Sequence, residues 1–126
     1  MENKRDNKSF RKLIVWQRAH ELALAVYQFS SDFPKHELFG LTSQLRRAAV
    51  SVAVNIRQGH TLGTDLQFLR HLRIAQGSLS EVEYYLILAK DLGCIEERDN
   101  QVSEASRGEV GFLLHRLIES VEKRKK

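Results

Sequence analysis

The stretch LTSQLRRAAVSVAVNIRQG, residues Leu41 to Gly59, decides the fold. Leu41, Leu45, Ala48, Val52 and Ile56 recur at three- and four-residue steps, which puts them on one side of an α-helix. Arg46, Arg47 and Arg57 fall on flanking positions, so this core helix also carries cations. Ala48, Ala49, Ser51 and Ala53 keep its flanks slim and let neighbouring helices approach closely. Gly59 reads as its stop, because a glycine just past the last periodic residue accepts the left-handed conformation.

Upstream, Trp16, Ala19, Ala23, Val26, Ser30 and Phe33 make a second stripe, widened by Leu13, Leu22 and Tyr27; it predicts a helix over residues 13–32 that Pro34 ends. Residues 35–40 are too apolar for a free loop, and Leu38 and Phe39 read as a helical turn plugging one end of the core. Thr42 or Ser43 would cap the central helix. Downstream, Thr64 or Asp65 caps a long third helix to about Leu92, with Leu66, Leu69, Leu72, Ala75, Leu79, Val82, Leu86 and Ala89 buried and Gly93 as its stop. Gly77 in its interior predicts close contact with another helix or a bend. A fourth helix starts near Asp99 or Ser103 and runs to about Lys123, burying Val102, Ala105, Val110, Leu113, Leu114, Leu117 and Val121. Four amphipathic helices on short links predict an all-α, up-down-up-down antiparallel four-helix bundle. One domain spans residues 1–126, with a flexible basic arm over about 1–9 and a basic tail over 123–126. Leu24, Phe29, Phe68, Tyr84, Tyr85 and Leu88 lie partly outside these stripes, which predicts a homo-oligomer whose copies cover them.

At 126 residues, with 42% hydrophobic and 29% charged residues and one proline, the composition is that of a helical globular domain. No apolar run approaches the ~20 residues a membrane helix needs, and the polar start lacks the apolar segment of a secretory signal. A cytoplasmic location follows. Cys94 stands alone, which excludes an internal disulfide and zinc sites of paired cysteines. The net charge of +4 is unevenly spread: residues 35–80 carry six basic groups against Glu37 and Asp65, whereas residues 81–109 carry three against eight acids. Such polarity suits either a polyanion or the acidic region of a second subunit.

A search for chemistry finds none. No histidine has the glutamate three residues earlier that bundle di-metal sites use, and neither His20-Glu21 nor His36-Glu37 has a second histidine in register, so neither a metal nor another cofactor is expected. No nucleotide-cradling glycine motif and no hydrolase elbow occurs. Basic residues remain: Arg46, Arg47 and Arg57, with Arg70, His71 and Arg73, would lie close together if the second and third helices pack antiparallel. That cluster would neutralise phosphates in a salt-dependent, sequence-blind manner, or else bridge to acids of a neighbouring subunit. Lys123 and Arg124 in the tail, and Lys4, Arg5, Lys8, Arg11 and Lys12 in the arm, would reinforce a polyanion site. Trp16, Tyr84 and Tyr85 could stack on bases, but at helical spacing they read as core or interface.

The order of blocks is familiar. Phe10 to Ala19 (F-x-x-L-x-V-W-Q-x-A), Phe33 to Leu41 (F-P-x-x-E-x-F-G-L), Gln44 to Ile56 (Q-L-R-R-A-A-V-S-V-x-x-N-I) and Ile74 to Glu81 (I-A-x-G-S-L-x-E) together resemble the 23S rRNA intervening sequence protein family. The resemblance spans nearly the whole chain. It implies a left-handed bundle, a ring-like homopentamer, and a bacterial reading frame of the kind found inside intervening sequences of 23S rRNA genes. The chain is also similar to the accessory variability proteins of diversity-generating retroelements, basic barrels that bind nucleic acid and a reverse transcriptase. No enzymatic activity is implied. The expected function is a non-enzymatic RNA- or DNA-binding scaffold in which Arg46, Arg47, Arg57, Arg70 and Arg73 contact phosphates; the alternative is an adaptor docking a protein such as a reverse transcriptase. One departure stands out: the family's N-I-A-E-G is here Asn55-Ile56-Arg57-Gln58-Gly59, with a cation and an amide in place of a small residue and an acid.

Overall fold

A computed structural model describes residues 9–125, with side chains through residue 124. Most of the expected basic arm therefore lies outside the described residues; Ser9 belongs to a short 3-10 turn, Ser9–Lys12, whose Phe10 is buried. The four helices are α1 (Ile14–Ser30), α2 (Ser43–Thr61), α3 (Asp65–Asp91) and α4 (Glu97–Lys125), and no strand occurs among the described residues. Each helix packs chiefly on two others: α1 on α2 and α4, and α3 on α2 and α4. Ser51 of α2 meets Ser78 of α3, with their hydroxyls 2.8 Å apart, and Gly59 abuts Phe68 and His71. Between α3 and α4, Glu83 pairs with Arg107 and Arg73 with Glu122. Arg18 of α1 reaches Glu109 of α4, and Arg46 of α2 reaches Ser30 of α1.

The core is the α2 stripe and what faces it. Leu41, Leu45, Ala48, Val52 and Ile56 are buried as their period requires, and Ala49 and Ala53 join them at the helix contacts. Leu22 and Val26 of α1, Leu72, Val82 and Leu86 of α3, and Val110, Leu114 and Val121 of α4 complete it.

Four local readings are corrected by the packing. Between α1 and α2 a 3-10 turn (Lys35–Glu37) and a π turn (Leu38–Thr42) do form, but Phe39 is 91% exposed and Leu38 about half. Phe33 and Leu41 close that end of the core instead, and the Glu37 carboxylate holds the turn by accepting the Leu41 N–H at 3.2 Å. Gly59 does not end α2; the helix continues to Thr61, and the reversal falls on Gly63 at φ 94°. Gly59 is needed for a different reason: a Cβ there would sit 2.7 Å from the His71 Cβ, so α2 and α3 touch at this level through bare backbone. In α3, Leu66 is exposed and Phe68 takes the buried place, fitting against Gly59. Gly77 meets nothing within 4 Å, so no close intrachain contact accounts for it.

The first half of α4 buries a different face from the one expected, while Val110, Leu114 and Val121 are buried as expected. The helix begins earlier, at Glu97, and Val102 and Ala105 point outward while Asn100 and Ser103 are buried. Ile118, not anticipated, is buried near the other end.

The ends of α3 follow their caps. The Thr64 hydroxyl accepts the Gln67 N–H at 3.1 Å, and Gly93 takes φ 76° just past the last turn. Thr64→Ala should lower stability by about 1 kcal/mol, read as a shift in the urea midpoint at unchanged slope, and Thr64→Asp should restore it.

Candidate nucleic-acid interface

The cations that the sequence groups together are divided by the fold. Arg46 and Arg57 stand eleven residues apart on one helix, about 16 Å along its axis, so they serve opposite ends of the bundle. Arg46 lies at the end where α1 finishes. Its Nε donates to the Ser30 hydroxyl at 2.8 Å, and its guanidinium lies 4.6 Å from the centre of the Tyr27 ring. This is a half-buried, structural arginine. Arg47 beside it is exposed and has no partner among the described residues.

The other five lie toward the opposite end, on different sides of it. Arg57 lies over the Phe10 ring at 5.2 Å, Arg73 pairs with Glu122, and Arg124 pairs with Asp65 at 3.1 Å. Arg70 and Lys123 are exposed without a partner among the described residues. Those two ion pairs are intrachain, and Arg73 and Arg124 are about half exposed, so they hold little stability and their cationic groups face water. Counting residues 9–12, 57–73 and 116–124, this end has eight Lys and Arg against three Asp and Glu. The other end, residues 31–47 and 83–104, has five against eight. The bundle is thus electrically polarised along its axis, and the sequence, which does not show which residues share an end, gave only the polarity by segment. Arg11 and Lys12, expected to reinforce polyanion binding, belong to this end because the burial of Phe10 brings the turn back onto α1 and α2; Arg116 is the cation of the basic end that sequence grouping left out.

The aromatic candidates are mostly structural. Trp16 is half-buried, edge-on to Phe10 and stacked on His20 at 5.1 Å with the planes 6° apart. Tyr85 packs on the core and Tyr84 stands outside it, edge-on to Tyr85. Between α1 and α2 runs an open apolar groove of about 300 Å³ lined by Trp16, His20, Leu24, Tyr27, Val50 and Val54. No group of three or more His, Cys, Asp or Glu side chains converges on a common point among the described residues. Burial and, second, the Glu37 charge push the Cys94 thiol above its ordinary range, which keeps it protonated and a poor nucleophile at neutral pH. No helix among the described residues is long and apolar enough to cross a membrane.

Fold and site thus define a class: an all-α four-helix bundle with one cationic end. The family model of the 23S rRNA-intervening sequence protein matches residues 11–116, and the chain belongs to that family. Among solved structures, the chain is similar to a protein of unknown function from the S23 ribosomal protein family of Bacteroides thetaiotaomicron. The two share 22% identity at a TM-score of 0.78, over 84% of this chain and 96% of that one, a likeness of fold. No curated protein matches the chain.

Proposed function

We propose that this protein is a non-enzymatic, self-associating cytoplasmic scaffold that binds RNA or DNA phosphates at the basic end of its bundle. The observation that carries this reading is the excess of eight cationic side chains over three acidic ones where residues 9–12, 57–73 and 116–124 meet. Arg57, Arg70, Arg73, Lys123 and Arg124 supply the contacts. Arg47 and Arg46, at the acidic end, are secondary. The helices are taken as up-down-up-down and antiparallel, since Ser51 meets Ser78 while the later Gly59 meets the earlier Phe68. A left-handed bundle closing into a ring-like pentamer is the family expectation, and several copies would multiply a weak phosphate site by avidity. Arg57 and Gln58, where relatives have a small residue and an acid, make this surface better suited to anions.

Filter binding to single-stranded and duplex RNA tests it. Binding at low salt should weaken linearly on a log–log plot as salt rises, with a slope of about −0.7 to −0.9 per phosphate neutralised. No binding at low salt, or a flat salt response, contradicts it. The alternative, an adaptor docking a protein such as a reverse transcriptase, draws on the apolar α1/α2 groove, and it is favoured if the chain captures a purified partner but no nucleic acid.

A further inference from the structure

The first half of α4 is built inside out. Stepping back from the buried Leu114 and Val110 by three and four residues lands on Arg107, Ser103 and Asn100, and all three point inward. Arg107 is held half-buried by bonds of 3.1 and 3.0 Å to the Glu104 carboxylate and by Glu83 at 3.6 Å. The apolar residues are on the outside. Val102 and Phe112 are 62% and 61% exposed, and Ala105 and Gly108 continue the same outward stripe. Gly108 meets nothing within 4 Å, so nothing within the described chain requires the absence of a side chain there. A glycine in a helix interior is disfavoured against alanine, and a helix packed from outside would account for it.

A complementary surface exists elsewhere on the same molecule. The groove between α1 and α2 is open and apolar, with Leu24, Tyr27, Val50 and Val54 all exposed along it. From Trp16 to Tyr27 it is about 16 Å long, and from Val102 to Phe112 the stripe is about 15 Å, at 1.5 Å per helical residue. Charge matches as well. Helix α2 carries Arg46, Arg47 and Arg57 and no acid, with Arg46 and Arg57 at the two ends of the groove. Residues 96–109 carry five acids against Arg98 and Arg107, and Glu96 and Asp99 have no cationic partner among the described residues.

We infer that the α1/α2 groove of one copy receives the Val102–Phe112 stripe of α4 from a second copy. This rests on the self-association in the reading above and names its two surfaces. Because groove and stripe are different patches, the contact is head-to-tail: each copy offers one of each, and successive copies close into a ring or extend as a chain. Leu24 and Val54 meet Val102 and Phe112, Gly108 lets the two backbones approach, and Arg46 meets the carboxylates of residues 96–109, while Arg57, at the other end of the groove, stays free for phosphate. The basic end, with Arg70 and Lys123, stays outside the contact.

The test is complementation between two defective variants of the full chain, followed by sedimentation velocity. Val54→Glu damages the groove and Phe112→Glu damages the stripe; both positions are exposed, so each variant should keep the wild-type helical circular dichroism. Wild type should be oligomeric, and each variant alone monomeric with association weakened ~100-fold or more by burying an unpaired charge. An equimolar mixture should form a heterodimer and stop there, since one intact groove meets one intact stripe. Gly108→Gln, which favours the helix, should raise the thermal midpoint of the monomer and yet weaken assembly. Wild-type oligomers that survive both Glu variants overturn the inference while leaving self-association standing. A mixture that stays monomeric also overturns it and points to a two-fold contact in which each copy uses both patches at once. A monomeric wild type removes both the inference and self-association, and leaves the groove to an acidic helix of another protein; phosphate binding is read separately in the salt titration.

Discussion

Leu45→Ala should lower the unfolding free energy by about 2–5 kcal/mol, the cost of deleting a fully buried leucine and leaving a cavity that rigid neighbours only partly fill. Leu45 sits in the first half of α2, the helix that touches both α1 and α3. Its loss is therefore felt across three elements. Urea melts followed by circular dichroism check it; a loss under 1 kcal/mol would mean that α2 is not the core helix. Leu66→Ala, on the neighbouring helix and exposed, should cost less than about 1 kcal/mol, although the two leucines look alike in the hydrophobic pattern.

Gly59→Ala and Gly77→Ala should move stability in opposite directions. At Gly59 the added methyl meets the His71 Cβ at 2.7 Å and the Phe68 Cα at 3.3 Å, and neither atom is the end of a flexible side chain. The helices must separate, at about 1–3 kcal/mol, and the better helix propensity of alanine offsets only part of that. At Gly77 the methyl enters open space, so the helix gains up to about 1 kcal/mol. Paired thermal melts under conditions where the chain is monomeric decide it, and equal signs would refute the backbone contact between α2 and α3.

The two glycines show how far a linear pattern reaches. Period identified α1, α2 and the middle of α3, because there the apolar residues are large, frequent and on one side. It misjudged places where packing chooses between equally apolar neighbours. Leu66 and Phe68 are two residues apart, and Phe68 is buried because Gly59 leaves space for its ring. In α4 the inward positions are Asn100, Ser103 and Arg107, so hydrophobicity pointed to the wrong face; the three- and four-residue steps taken backward from Val110 and Leu114 were the better guide. The site was legible in composition and not in layout. Charge counting found the cations, but grouped Arg46 and Arg47 with Arg70 and Arg73, since it treated the helices as adjacent along their whole length. A helix of nineteen residues separates its ends by more than 25 Å, roughly 1.5 Å per residue, and no surface cluster bridges that.

Two triple variants that remove the same charge from opposite ends put the central claim to the test. Arg70→Ala/Arg73→Ala/Lys123→Ala strips the basic end, and Lys35→Ala/Arg47→Ala/Arg98→Ala strips three exposed cations from the other. RNA affinity measured at low salt should fall about 10-fold or more in the first, with the salt slope shallower by about 2–3, and change less than about 3-fold in the second. Equal losses in the two variants, or no loss in the first, would contradict a phosphate site localised at the end that carries Arg57, Arg70 and Lys123.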